Sequence, residues 1–139
     1  MLRNILAVIA GLIVGGIVNM GLIMISSAVI PPPAGADLTT VQGLQAAIPL
    51  LEPKHFIFPF LAHALGTFAA ALVATWIAAT YKLHIAAAIG VLFLFGGIAA
   101  AMMIPAPTWF IILDLVVAYI PMALLGAKLG GAKFSNASA

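Results

Sequence analysis

"FPFLAHALGTFAAALVATWIAATY", residues 58–81, runs without Asp, Glu, Lys or Arg and, before the Tyr81 that ends it, holds one ionisable side chain, His63. About 20 consecutive apolar residues are enough for a helix to cross a hydrocarbon core of roughly 30 Å. The stretch therefore reads as a membrane span. Ala62, Gly66, Ala70, Ala74 and Ala78 recur in it every fourth residue. Such a stripe lets another helix backbone approach closely, which is how helices associate where lipid is as apolar as their side chains. This one segment predicts both the environment and the mode of packing.

Three more runs have the same character: residues 5–30, 85–104 and 109–127. The whole 139-residue chain is 65% hydrophobic and 6% charged, with a mean hydropathy of +1.31, far from the composition of soluble domains. The reading is an all-α integral membrane four-helix bundle, a single membrane domain over residues 1–139. The first run, with Arg3 ahead of it and Ser26, Ser27 and Ala28 near its end, has some features of a secretory signal. It is about twice as long as a signal core and carries Asn19 in its middle, so it is read as a retained span. The chain has no Cys, which excludes disulfides, thiolate metal sites and thiol redox chemistry. A net charge of +2, scattered along the chain, gives no nucleic-acid footprint.

Positive residues flank cytoplasmic ends. Arg3, Lys82, Lys128 and Lys133 fall on one side of a four-span chain and Lys54 alone on the other, so both termini are expected in the cytoplasm. Residues 31–55 then form the one long outside loop. Its "PPPAGAD" blocks helix continuation; Asp37 is expected to cap a short amphipathic surface helix over residues 38–48, which Gly43 weakens and Pro49 ends. Trp109 and Tyr81 suit the interfacial belt. Pro121 predicts a kink in the fourth span, because it frees the carbonyl of Val117. Residues 130–139 read as a flexible tail.

Polar residues inside spans are where function is sought. Asn19 continues the Ala7, Gly11, Gly15 ladder of the first span; His63 stacks over Thr67, Ala71 and Thr75; Asp114 begins the ladder Ala118, Met122, Gly126. At a rise of about 1.5 Å per residue, His63 lies about 8 Å and Asp114 about 9 Å from the outer surface, with Asn19 one to two turns deeper. An ionised Asp at a helix centre costs roughly 2.5–3.5 kcal/mol on insertion scales, so Asp114 requires a partner. The expectation is a His63–Asp114 contact, with Asn19 and Thr67 completing a buried polar site.

In "EPKHFIFPFLAH", residues 52–63, Glu52, Lys54 and His55 form the mouth of that site or are plain water-boundary residues. Either Pro53 occupies a first helical turn or Pro59 starts the second span. His55 and His63 are about 12 Å apart along a continuous helix, and His84 falls on the opposite side, so no metal, haem or other cofactor is assigned. Gly-rich phosphate loops, H-E-x-x-H and serine elbows are absent from the sequence.

"IPPPAGAD", "EPKHFIFPFLAHALGTF" and "PAPTWFIILDLV" resemble an uncharacterised family of small four-span bacterial membrane proteins, over nearly the whole chain through Gly126. That resemblance implies a multi-pass protein of the bacterial inner membrane and carries no activity with it. Small-residue ladders on several faces suggest a homo-oligomer or a subunit of a larger membrane complex, with lipid as the other partner. Two functional readings remain. One is an accessory subunit or homo-oligomeric carrier with a His–Asp pocket opening outward; the other is an intramembrane enzyme or small-ligand-binding protein using His63 and Asp114 for acid–base chemistry. A carrier predicts a wet path past Asn19, an enzyme a closed pocket, and a structural subunit no cavity.

Overall fold

In lipid every backbone N–H and C=O must find its partner inside the segment, which leaves the helix as the only open-ended solution for these runs. The computed structural model describes residues 1–134, and the described residues form helices joined by turns: α1 (Leu2–Val29), α2 (Val41–Ala47), α3 (Ile57–Ile77), α4 (Lys82–Met103), α5 (Thr108–Val117) and α6 (Ile120–Leu129). Four segments are long and apolar enough to cross a membrane: α1, the stretch Pro53–Ile77, α4, and α5 with α6 together. The expected all-helical, four-span class is what the chain adopts. Residues 135–139 of the expected tail lie outside the described residues.

Helix α3 is the hub. Its Ala62, Gly66, Ala70 and Ala74 are fully buried, and across them run Ala7, Gly11 and Gly15, the only buried residues of α1. A Cβ on Gly15 would stand 2.6 Å from both the carbonyl oxygen of Gly66 and the Cβ of Ala70; one on Gly11 would meet the Ala70 carbonyl at 2.5 Å. Backbone against backbone is therefore the contact. A second small-residue face of α3, Thr67, Ala71 and Thr75, is equally buried and receives α6, where a Cβ on Gly126 would lie 2.6 Å from the Phe68 carbonyl. Helix α4 closes on α6 through Gly90, beside Ala123.

Both ends of the bundle are tied by long-range hydrogen bonds. At one end Arg3 Nε donates to the Ile77 carbonyl at 2.6 Å, Asn4 Oδ1 accepts from the Ala79 amide at 3.0 Å, and Lys82 Nζ reaches the Gly130 carbonyl at 3.3 Å. Lys128, in the last turn of α6, and Lys133 follow at the same end, and Lys54, in the turn before α3, stands at the other. At the other end Gln45 Nε2 donates to the Met103 carbonyl at 2.7 Å, fastening α2 across the loop that separates α4 from α5.

Two local readings change, and one open alternative is decided. The N-cap of α2 is Thr40, whose hydroxyl accepts from the Gly43 amide at 3.0 Å; Asp37 instead accepts from the Thr39 amide and hydroxyl and from the Thr40 hydroxyl, bonds that hold its carboxyl below the usual carboxylate range. Gly43 is there because a side chain would collide with Asp37. Pro53 does open a first turn, a short 3-10 segment Pro53–Phe56 that leads into α3. Beyond Ile77 the helix stops short of Tyr81, which takes a left-handed φ of 54° and turns the chain into α4.

The seam makes a direct forecast. Gly15→Leu is expected to separate α1 from α3 and lower stability by more than the 1–3 kcal/mol typical of overpacking, because the obstructing atoms are backbone. Gly21→Leu, with nothing within 4 Å of its Cβ position, is expected to be neutral; denaturation in mixed micelles distinguishes the two.

Candidate functional site

The small-residue seam between α1 and α3 ends where the Asn19 Cβ rests against Gly66. Beyond it α1 presents Ile23, Met24, Ser26, Ser27 and Ile30, and there a cavity of about 450 Å³ opens between the outer thirds of the helices. Its far side is α5 and the end of α4, at Phe110, Ile111, Leu115, Gly97 and Ala101; its roof is the 31–55 segment, through Leu38, Leu44, Ile48, Leu51 and His55. The walls are largely aliphatic and aromatic. His63 and Asp114 form the polar part of its inner end.

These two side chains meet. His63 Nδ1 lies 2.9 Å from Asp114 Oδ1 and 3.0 Å from Oδ2, with the Asp side chain 6% exposed and the His 25%. A third member joins them. The Tyr119 hydroxyl donates to Asp114 Oδ2 at 2.7 Å, and its oxygen sits 3.0 Å from His63 Nδ1; the two rings stack at 30° with centroids 5.7 Å apart. As a carboxylate Asp114 only accepts, so the Tyr119 hydroxyl and the Nδ1–H of His63 both donate to it. The imidazole is thereby fixed in one tautomer. Its other nitrogen, Nε2, has no hydrogen-bond partner among the described residues and is not fully buried, and the His63 side chain lines the cavity.

Tyr119 reaches this position through a break in the fourth span. Pro121 cannot bond back to the Val117 carbonyl, and the expected kink is realised as a two-residue interruption at Ala118–Tyr119, after which α6 restarts with Ala123 bonding to the Tyr119 carbonyl. In an uninterrupted helix Tyr119, five residues after Asp114, lies about 140° round from it. The irregular Tyr119 backbone, φ −112° and ψ −82°, turns the ring back toward Asp114, and its hydroxyl nests against Gly97 of α4, where a Cβ would collide with it. Sequence reading missed Tyr119 because it assumed regular helical periodicity; the signal was an aromatic hydroxyl two residues before an intrahelical proline.

The other expected site residues divide. Thr67 is fully buried below His63 and donates to the His63 carbonyl at 2.8 Å, so it supports the helix turn beneath the pair. Asn19 stands at the end of the seam and is not among the residues that line the cavity. Of the mouth residues, His55 lines the cavity: its Nδ1 accepts from the Glu52 amide at 2.9 Å and its Nε2 faces the Pro31 carbonyl at 3.2 Å. Glu52 and Lys54 are exposed and pair with each other at 3.1 Å, outside the lining. Among the described residues no group of three His, Cys, Asp or Glu side chains is placed to hold a metal ion.

The triad's coupling is measurable. Tyr119→Phe, which removes one donor from a buried carboxylate, is expected to destabilise the protein by about 1 kcal/mol. A double-mutant cycle of His63→Ala with Asp114→Ala is expected to show coupling of similar size, whereas additive effects would mean that the pair carries no interaction energy.

Comparison of the chain with protein families, with curated proteins and with solved structures finds no match, so its function is argued from the site alone.

Proposed function

We propose that this protein is a membrane-embedded binding protein for a small, mostly apolar molecule that carries a polar group, taken up in the cavity beneath the 31–55 roof. One observation carries the reading: a cavity of about 450 Å³ with apolar walls has a single oriented imidazole at its inner end. That volume falls within the roughly 300–1,000 Å³ of small-molecule sites, which pair apolar lining with a few placed polar groups. A polar clamp whose only role is packing needs no space beside it. The lining draws on no residue from the Arg3, Lys82 and Lys128 end, which favours a one-ended pocket over a carrier's path.

The same arrangement supports a second reading. A carboxylate holding Nδ1–H and leaving Nε2 free is the orientation of a general base, so an occupant with an acidic proton is set for acid–base chemistry. We place the protein in a bacterial inner membrane with both termini inside. The ladders that suggest self-association are occupied within the chain; Gly16, Gly21 and Gly96 are the glycines in the spans left with open surroundings, and a homo-oligomer or larger complex would meet on those faces of α1 and α4.

Two experiments test this account. In membranes containing the protein, a photoreactive alkyl diazirine is expected to label Met24, Ile111 and Leu115 saturably, and Leu115→Trp, which fills the cavity, is expected to abolish that labelling; non-saturable labelling spread over outer helix faces refutes a pocket. Because the chain has no Cys, single cysteines report topology cleanly. Ala34→Cys is expected to react with an impermeant maleimide in intact cells and Lys133→Cys only after permeabilisation, and the opposite pattern reverses the orientation.

A further inference from the structure

The charge and hydrogen-bond inventory of the cavity restricts what it can hold. Its lining includes no Lys or Arg; the ionisable side chains are Asp114, His55 and His63, and the hydroxyls are Ser26 and Thr39, which donate to the Ile23 carbonyl and to Asp37, and Ser27 near the outer end of α1. A phosphate or carboxylate head group would enter an apolar space beside a carboxylate, without the cation that anion recognition uses. Anionic lipids and fatty-acid anions are thereby disfavoured. Asp114 itself is not open for a ligand cation to claim, since His63 and Tyr119 already donate to it at 2.7–3.0 Å. His55 is committed as well, between Glu52 and Pro31.

At the inner end of the cavity, what remains is His63 Nε2. With Nδ1–H directed at Asp114 and the Tyr119 oxygen, Nε2 of the neutral imidazole presents a lone pair. A lone pair at the end of an apolar cavity recognises a donor, and leaving a donor-binding site without its donor is what makes such recognition selective. We propose that the occupant is a neutral, hydroxyl-bearing apolar molecule, an alcohol or phenol, whose O–H donates to His63 Nε2. Asp114 and Tyr119 are positioning residues for this contact: they hold the ring in the tautomer that accepts. The proposal rests on the pocket reading above and sharpens it to a ligand class.

The test is competition against the alkyl diazirine in phosphatidylcholine nanodiscs, with concentrations corrected for partitioning into lipid. Three competitors of matched shape are used: para-hexylphenol, its methyl ether para-hexylanisole, and para-hexylbenzoate. The phenol is expected to displace the probe about five-fold more strongly than the anisole, the factor one net hydrogen bond supplies, and the benzoate is expected to be weakest. In His63→Phe the anisole is expected to compete as before while the phenol's advantage disappears. With isotope-labelled histidine in the unmutated protein, the Nε2 resonance of His63 is expected to move with phenol and stay in place with anisole, a readout that does not require the variant to fold.

Equal displacement by phenol and anisole overturns the donor requirement and leaves the pocket standing. Strongest displacement by benzoate overturns the charge argument, and a phenol advantage that survives His63→Phe, or an unmoved Nε2 resonance, overturns the assignment to His63. Failure of all three competitors against saturable labelling overturns this proposal and leaves the pocket standing, whereas the absence of saturable labelling overturns both.

Discussion

A carboxylate inside a membrane span is the constraint around which this protein is arranged. Asp114 cannot be left to lipid, and the fold brings it two donors from different places: the Nδ1–H of His63 on α3 and the hydroxyl of Tyr119 beyond the break between α5 and α6. Each donor needs its own accommodation. His63 is held at depth by the small-residue faces that let α3 sit at the centre of the bundle, and Tyr119 needs both an interrupted helix and the vacancy at Gly97. Removing a side chain at Gly97 and a hydrogen bond at Val117 are thus two sequence features that serve one carboxylate.

Much of this was legible in the sequence, for a simple reason. Where lipid surrounds the protein, hydrophobicity no longer distinguishes inside from outside, and the small residues do. The Ala62–Gly66–Ala70–Ala74 stripe and the Ala7–Gly11–Gly15 stripe mark their seam without ambiguity, because a glycine facing lipid gains nothing from its size. His63 and Asp114 could be paired because both spans start at the same surface and a fixed rise per residue puts them at one depth. Tyr119 could not be found by the same arithmetic, since its place depends on a departure from that regularity. The cavity was equally invisible: it arises where the seam ends at Asn19 and α1 presents Ile23, Met24, Ser26, Ser27 and Ile30 across open space, a property of the relative course of two helices rather than of either one's sequence.

The polar group at the seam's end and the polar group in the cavity therefore have different work, although composition alone treats Asn19 and His63 alike. Asn19 lies against Gly66 as part of the close approach. His63, one turn higher on α3, lies where that approach has stopped and space begins. The boundary between packing and binding falls within a single helical turn, and the outer loop, pinned by Gln45 to the end of α4 and by His55 to Pro31, covers the space rather than filling it.

The bonds from Arg3 and Asn4 to the turn after α3 have a consequence for how the molecule is made. Arg3 reaches across 74 residues to Ile77, and Asn4 across 75 to Ala79. Chains emerge N-terminus first, so the glycine stripe of α1 is made before the face it packs against, and meets it only after the whole outer loop and all of α3 have followed. The start of α1 is locked only when residues 77–80 arrive. Helix α1 is therefore fixed only once α3 is complete, and the cavity, which α4 and α5 also bound, closes after both of those helices have followed.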